Sequence, residues 1–149
     1  MKNTIIDELN KVLTNTLDYR EVLRKLASTI SHNATQEKLK EFSEIAEKEG
    51  NRLIKAISDL GGDVESSDRQ TDQEAICWIT SPLPDTNNMQ SVLACLIEAE
   101  RKKEDDYSAI FAHDDIDRET RNRLDKNQRQ TKANILYFQT AMQTSENKA

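Results

Sequence analysis

The chain has 149 residues, of which 36% are hydrophobic, 32% charged and only 5% aromatic, and its mean hydropathy is −0.80. That is enough chain for one domain with a real core and no disulfide or metal staple, but the core must be assembled from narrow apolar stripes. A formal charge of −6 argues against nucleic acid, whose phosphates need a basic footprint, and neither a membrane-length apolar run nor a signal-peptide core is visible, so a cytoplasmic protein without a membrane partner is expected.

Three Gly and two Pro leave few places to turn, which favours a few long helices over many short strands. The first helix is predicted over 4–29, where Ile5, Leu9, Val12, Thr16, Tyr19, Leu23 and Leu26 recur at helical spacing and continue to Ile30. Thr4 with Asp7 suits a capping pair. Ile6, Leu13, Leu17 and Val22 lie off the main stripe and form a candidate secondary face for a partner. The second helix is predicted over 35–60, with Leu39, Phe42, Ala46, Leu53, Ile57 and Leu60 inward. Asn33 and Gln36 suit its start, and Gly61-Gly62 stop it.

The connection over 61–87 is far longer than a helix–helix turn and holds both prolines and the only Trp. A helix of about 26 residues is about 40 Å long at about 1.5 Å per residue. The connection is long enough to span that distance, so a crossover is predicted in which the third helix starts at the opposite end of the bundle. Its residues Ile76, Trp78 and Ile79 either plug the side of the bundle or extend the partner face. The third helix is predicted over 88–112 and the fourth over 117–142, with the tail 143–149 fraying. The joins "SHNA" and "HDDI" are short, so the helices pair as two antiparallel hairpins. Cys77 and Cys95 have no CxxC and no neighbouring His, and both are expected to be reduced thiols.

The third helix raises the chemical question. Leu93, Ile97, Glu100, Glu104, Tyr107 and Phe111 share one face, placing two carboxylates and a phenol in line with core residues. Buried carboxylates are costly unless paired, hydrogen-bonded or bound to a metal. The halves also echo each other, since "LDYREVL" on the first helix matches "DDYSAIF" on the third. Tyr19 and Tyr107 therefore fall at corresponding heights of the two hairpins.

Taken together, "LDYREVL", "AISDLGGD", the Trp78 connection and "EAERKKEDDY" resemble small bacterial ferritin-like proteins of about this length and of no established function. The resemblance runs from about Ile5 to about Met142. It implies an all-α, ferritin-like four-helix bundle of two antiparallel hairpins joined by a long crossover between the second and third helices. Ferritin-like metal centres take one Glu from each of two helices and Glu-x-x-His from the other two. Against that pattern the third helix offers Glu100, with Glu104 as a second choice, and the first offers Thr16 with Asp18 as the nearest acid. The second helix holds Glu44, Glu47 and Glu49, with Gly50 or Asn51 in the His slot. The fourth has Asn127, Gln130 and Asn134 where Glu and His are wanted.

No predicted helix core contains a histidine, and His32 and His113 fall in the hairpin turns as turn or capping residues. The expectation is a degenerate metal site with no cofactor, rebuilt as a polar core layer. That layer would contain Thr16, Tyr19, Glu100, Tyr107, Asn127, Thr131 and Asn134, with Glu49 or Glu47. Asn amides and Tyr hydroxyls would donate to its carboxylates, and Lys103 or Arg101 would add charge from the rim. If a metal is held, its ligands are Glu47, Glu49, Glu100 and Glu104, and the ion is iron or another divalent metal, or Ca²⁺ with Asn carbonyls. No phosphate loop, nucleophile elbow or His-bearing catalytic set is present. The sequence therefore reads as a non-catalytic structural or protein-interaction module, with a homodimer or a protein as partner. The alternative is a ferritin-like metal-binding protein or oxidoreductase with a carboxylate-rich site around Glu100.

Overall fold

Long runs of Lys, Glu, Gln, Arg and Leu propagate as helix, and only Gly50 lies inside one as a weak point. The computed structural model describes residues 2–64, 78–79 and 88–147. These form four α-helices, α1 (Lys2–Thr29), α2 (Asn33–Asp59), α3 (Met89–Phe111) and α4 (Arg118–Asn147), with no strand among the described residues. None of these helices is long and apolar enough to cross a membrane.

The helix ends follow local hydrogen bonding. His32 caps α2, its Nδ1 accepting from the Thr35 N–H at 3.3 Å, so α2 begins before the predicted 35. Asn88 caps α3 through Oδ1 and the Ser91 N–H at 3.2 Å, and Asp117 Oδ2 accepts from the Thr120 N–H at 3.3 Å where α4 starts. Two further predicted ends shift. α1 begins at Lys2, which places Thr4 inside the first turn rather than at the cap. α4 continues past Met142 to Asn147, because "QTSEN" contains no Gly or Pro to terminate it.

At the end of α2 the chain reverses through a Schellman motif. The Gly62 N–H donates to the Ile57 carbonyl at 2.9 Å and the Gly61 N–H to the Ser58 carbonyl at 3.0 Å. Gly61 has φ 82°, in the left-handed region that side chains disfavour. A Cβ on Gly62 would sit 2.7 Å from Ile6 Cγ2, so the turn packs directly onto α1.

α1 and α2 run antiparallel. Their paired contacts are Asn10 to the Asp63 carbonyl at 3.1 Å, Arg20 to Glu47 at 3.0 Å and Gln36 to the Ala27 carbonyl at 2.8 Å. α3 and α4 do the same, through Arg121 to the Phe111 carbonyl at 3.0 Å and Gln90 to the Met142 carbonyl at 3.0 Å. Between the pairs, Glu8 meets His113 at 3.0 Å and Asp59 meets Arg123 at 2.6 Å, at the end where α1 and α4 begin and α2 and α3 finish. At the other end Phe42 of α2 packs on Phe138 of α4 at 4.8 Å between ring centroids.

The core is one cluster drawn from all four helices plus Trp78. The candidate partner face does not stand open. Leu13 and Trp78 are buried, and Ile6, Leu17, Val22 and Ile79 pack against the core. The wider apolar stripe of α1 covers α2 rather than solvent, Gly50 lying close to Leu17 and Leu13. Ile76 and Cys77, with most of the predicted crossover, lie outside the described residues; Cys95 is a free, partly buried thiol. Burial pushes that thiol's pKa up.

Gly61→Ala is expected to cost about 1 kcal/mol through its positive φ, and Gly62→Ala to cost at least as much because Ile6 must move. Urea unfolding should show both as a lowered midpoint with an unchanged m-value.

Candidate functional site: a buried carboxylate–ammonium layer

On α3 the residues Val92, Leu96, Ala99, Lys103, Tyr107 and Ile110 step by three or four, and all are buried. Lys103 therefore points its whole side chain inward. Glu49 of α2 and Glu100 of α3 meet it there, and the three side chains are 1% exposed or less. Lys103 Nζ lies 2.8 Å from Glu100 Oε1 and donates to Glu49 Oε1 at 3.1 Å. The ammonium contact satisfies Glu100 Oε1, whereas Glu49 Oε2 is buried with no hydrogen-bond partner.

The walls of the layer are aromatic and amide. Lys103 Nζ sits 5.5 Å from the Tyr19 ring centroid and 5.8 Å from that of Trp78, within cation–π range of both. Trp78 is held edge-on to Tyr19 at 6.0 Å, and its Nε1 donates to Asp106 Oδ2 at 2.8 Å. Asn134 Nδ2 donates to Glu100 Oε2 at 3.4 Å, while its Oδ1 accepts from Gln130 at 2.8 Å. Asn127 Nδ2 donates to the Tyr107 hydroxyl at 2.9 Å and to the Glu49 main-chain carbonyl at 3.2 Å. Its Oδ1 accepts from Arg52 at 2.9 Å.

Electrostatics follow from burial. Two carboxylates beside the ammonium outweigh its own desolvation and raise the Lys103 pKa to about 12, so it stays charged. Desolvation pushes the Glu49 carboxyl up from its ordinary range, against the pull of Lys103, with Glu100 adding repulsion. Tyr19 and Tyr107 are pushed well above the usual phenol value, first by burial and then by Glu100 and Glu49 respectively. Neither phenol supplies a proton near neutral pH.

Of the residues singled out in the sequence, Thr16, Tyr19, Glu49, Glu100, Tyr107, Asn127, Thr131 and Asn134 are all buried. Their bonding differs from the expected donation to the carboxylates. Thr16 and Thr131 bond the carbonyls of Val12 and Asn127 in their own helices. Asn134 does donate to a carboxylate, that of Glu100. Glu47 is exposed and paired with Arg20 and Arg24, outside the layer. Glu104 is half-buried, Asp18 and Glu44 are exposed, and Gly50 packs on α1 while Asn51 faces solvent. Arg101 is exposed, and Lys103 is not at the rim but at the centre. The signal for Lys103 was its place in the stripe from Val92 to Ile110; Arg52 and the Trp78–Asp106 bond had no local signature.

The donor set does not fit the metal centre that the resemblance implies. Only two carboxylates converge, an ammonium already lies between them, and the Asn carbonyl oxygens are taken by Arg52 and Gln130. Among the described residues no three His, Cys, Asp or Glu side chains group as metal ligands. No family model matches the chain, and neither a curated protein nor a solved structure matches it.

Removing the ammonium while keeping its volume leaves two buried carboxylates without compensation. Lys103→Met is expected to destabilise the fold by about 3–5 kcal/mol, read from urea unfolding. The Glu49 shift has a definite sign. The unfolded chain releases this proton near pH 4.5, the folded protein only at higher pH. Between those values the native state binds more protons, so stability falls as pH rises. Glu49→Gln should flatten that fall in thermal melts taken as the pH is raised from 4.5.

Proposed function

We propose that this chain is a cytoplasmic, non-catalytic structural or protein-interaction module of ferritin-like build, whose metal site is degenerate. The observation that carries the reading is Lys103 Nζ lying between Glu100 and Glu49 at 2.8 and 3.1 Å, fully buried. An internal cation there supplies the charge that a bound ion would supply, and it leaves no open coordination position for a substrate. The crossover between α2 and α3 belongs to the same proposal. It is supported by the contacts at the bundle ends, where Asp59 of α2 lies with Arg123 of α4 and Gln90 of α3 with Met142.

The partner in this reading is a second copy of the chain. Burial of Leu13 and Trp78 moves the candidate face away from α1. The outer side of α4, where Leu136 is 65% and Tyr137 41% exposed, carries more open apolar surface. The competing reading, a ferritin-like metal-binding protein or oxidoreductase around Glu100, draws its support from Glu49 Oε2, a buried carboxylate oxygen without a hydrogen-bond partner.

Elemental analysis separates the two. Protein purified after growth with iron, manganese and zinc is expected to carry metal well below stoichiometry, unchanged by Glu100→Ala. About two ions per chain, lost on that substitution, would overturn the module in favour of the metal-binding reading. Sedimentation of the same samples is expected to show a dimer that Leu136→Asp weakens.

A further inference from the structure

The charge of α4 runs against that of the molecule. It holds six of the 21 Lys and Arg but only three of the 27 Asp and Glu, in a chain of net charge −6. Thr120, Leu124, Asn127, Thr131, Asn134 and Phe138 are buried and fix its inward face. The outward half presents Arg118, Arg121, Lys126, Arg129 and Lys132, all exposed, over about 21 Å at about 1.5 Å per residue. Arg118 with Arg121, Lys126 with Arg129 and Arg129 with Lys132 stand three positions apart, where like charges on a helix repel. Elsewhere on the surface such cations have acidic neighbours, as Arg24 has Glu21 at 2.8 Å and Lys55 has Asp59 at 3.3 Å. On this stripe Arg129 has Asp125 at 2.8 Å, but among the described residues no ion pair reaches Arg118, Lys126 or Lys132.

We propose that the stripe from Arg118 to Lys132 is a docking surface for an acidic helical segment of another protein. Charge complementarity selects the occupant. The cations recur at helical spacing along one straight rod, so a helix lying beside it with carboxylates three and four positions apart meets them in turn. Such a partner also relieves the repulsion that the stripe carries alone. A second copy of the stripe does not serve, because cations would then face cations. A long polyanion such as nucleic acid would run on from the stripe over the remainder of a chain that is net negative. The stripe ends at Lys132, one turn before Leu136, so this partner is additional to the second copy assigned above to Leu136. It rests on the reading of the chain as an interaction module.

The probe is a fluorescein-labelled helical peptide with Glu at every third or fourth position, titrated with the full chain and followed by fluorescence anisotropy. The native chain is expected to bind it, and to bind it less tightly as salt shortens the range of the charges to about 8 Å at about 0.15 M. Arg129→Glu with Lys132→Glu is expected to weaken binding at least about tenfold. Both side chains are exposed, so this variant should keep its fold, as circular dichroism will show. A native chain that leaves the peptide free, or binds it no better than the variant does, overturns the docking surface. Tighter binding of a labelled DNA duplex, or of phosphatidylserine vesicles, overturns an acidic protein segment as the occupant. Leu136→Asp is expected to lose the dimer and keep the peptide. A native chain that is monomeric yet binds the peptide through Arg129 and Lys132 supports the stripe and overturns only the second copy.

Discussion

The bundle is organised around an ammonium with no access to water. Taking Lys103, Glu49 and Glu100 out of solvent costs several kcal/mol per ion, and the mutual attraction offsets this only in good geometry. Each of the three is therefore worth more in place than any one of them alone, and a shift of one helix against another would leave an unpaired charge in the core. Asn127 extends the layer to α4, through Tyr107 and the Glu49 carbonyl, and Tyr19 brings in α1. A single polar layer thus ties both helical hairpins together, across the faces where α1 meets α3 and α2 meets α4.

Apolar packing on either side keeps the layer dry. Below it Leu9, Leu53, Ile57, Ile110 and Leu124 are wholly buried, and toward the other end Phe42 and Phe138 close the space between α2 and α4. The single Trp performs a second task. Its ring covers Tyr19 and the ammonium, while its indole N–H is anchored on Asp106, so one side chain both seals the layer and is fixed by α3. Burial raises the Asp106 carboxyl, and the Trp78 hydrogen bond opposes that rise by favouring its charged form. Low polarity strengthens the ion pairs it surrounds, and makes every unfilled lone pair more costly. That is why Glu49 Oε2, buried without a hydrogen-bond partner, matters more here than ion pairs on the surface, such as Arg129 with Asp125.

A centre buried from solvent, with an ammonium between its carboxylates, also bears on the proposed function. Catalysis by a carboxylate layer needs an open position for a substrate or a metal, together with groups that exchange protons near neutral pH. In this layer the ammonium stays charged, and both phenols are pushed above their usual range. What remains chemically adjustable is the Glu49 proton.

The sequence by itself determined the helical class and the local punctuation. Scarce Gly and Pro forced long helices, the stripe Ile5–Leu9–Val12 marked the inward face of α1, and Gly61-Gly62 ended α2 because only glycine accepts φ 82° without strain. It also marked Glu100 and Tyr107 as inward, since both obey the spacing of three and four that governs burial on a helix. Lys103 obeys the same spacing, but a lysine there reads as surface because its charge is ordinarily solvated. Only tertiary structure decided otherwise, by bringing Glu49 from a helix 54 positions away in sequence to meet it. Glu47 and Glu49 lie on nearly opposite sides of α2, and Glu49 continues the inward spacing Phe42, Ala46, Leu53 that Glu47 breaks, so the local pattern could choose between them. That Glu49 would meet Lys103 of α3 there is a long-range fact that no local pattern encodes.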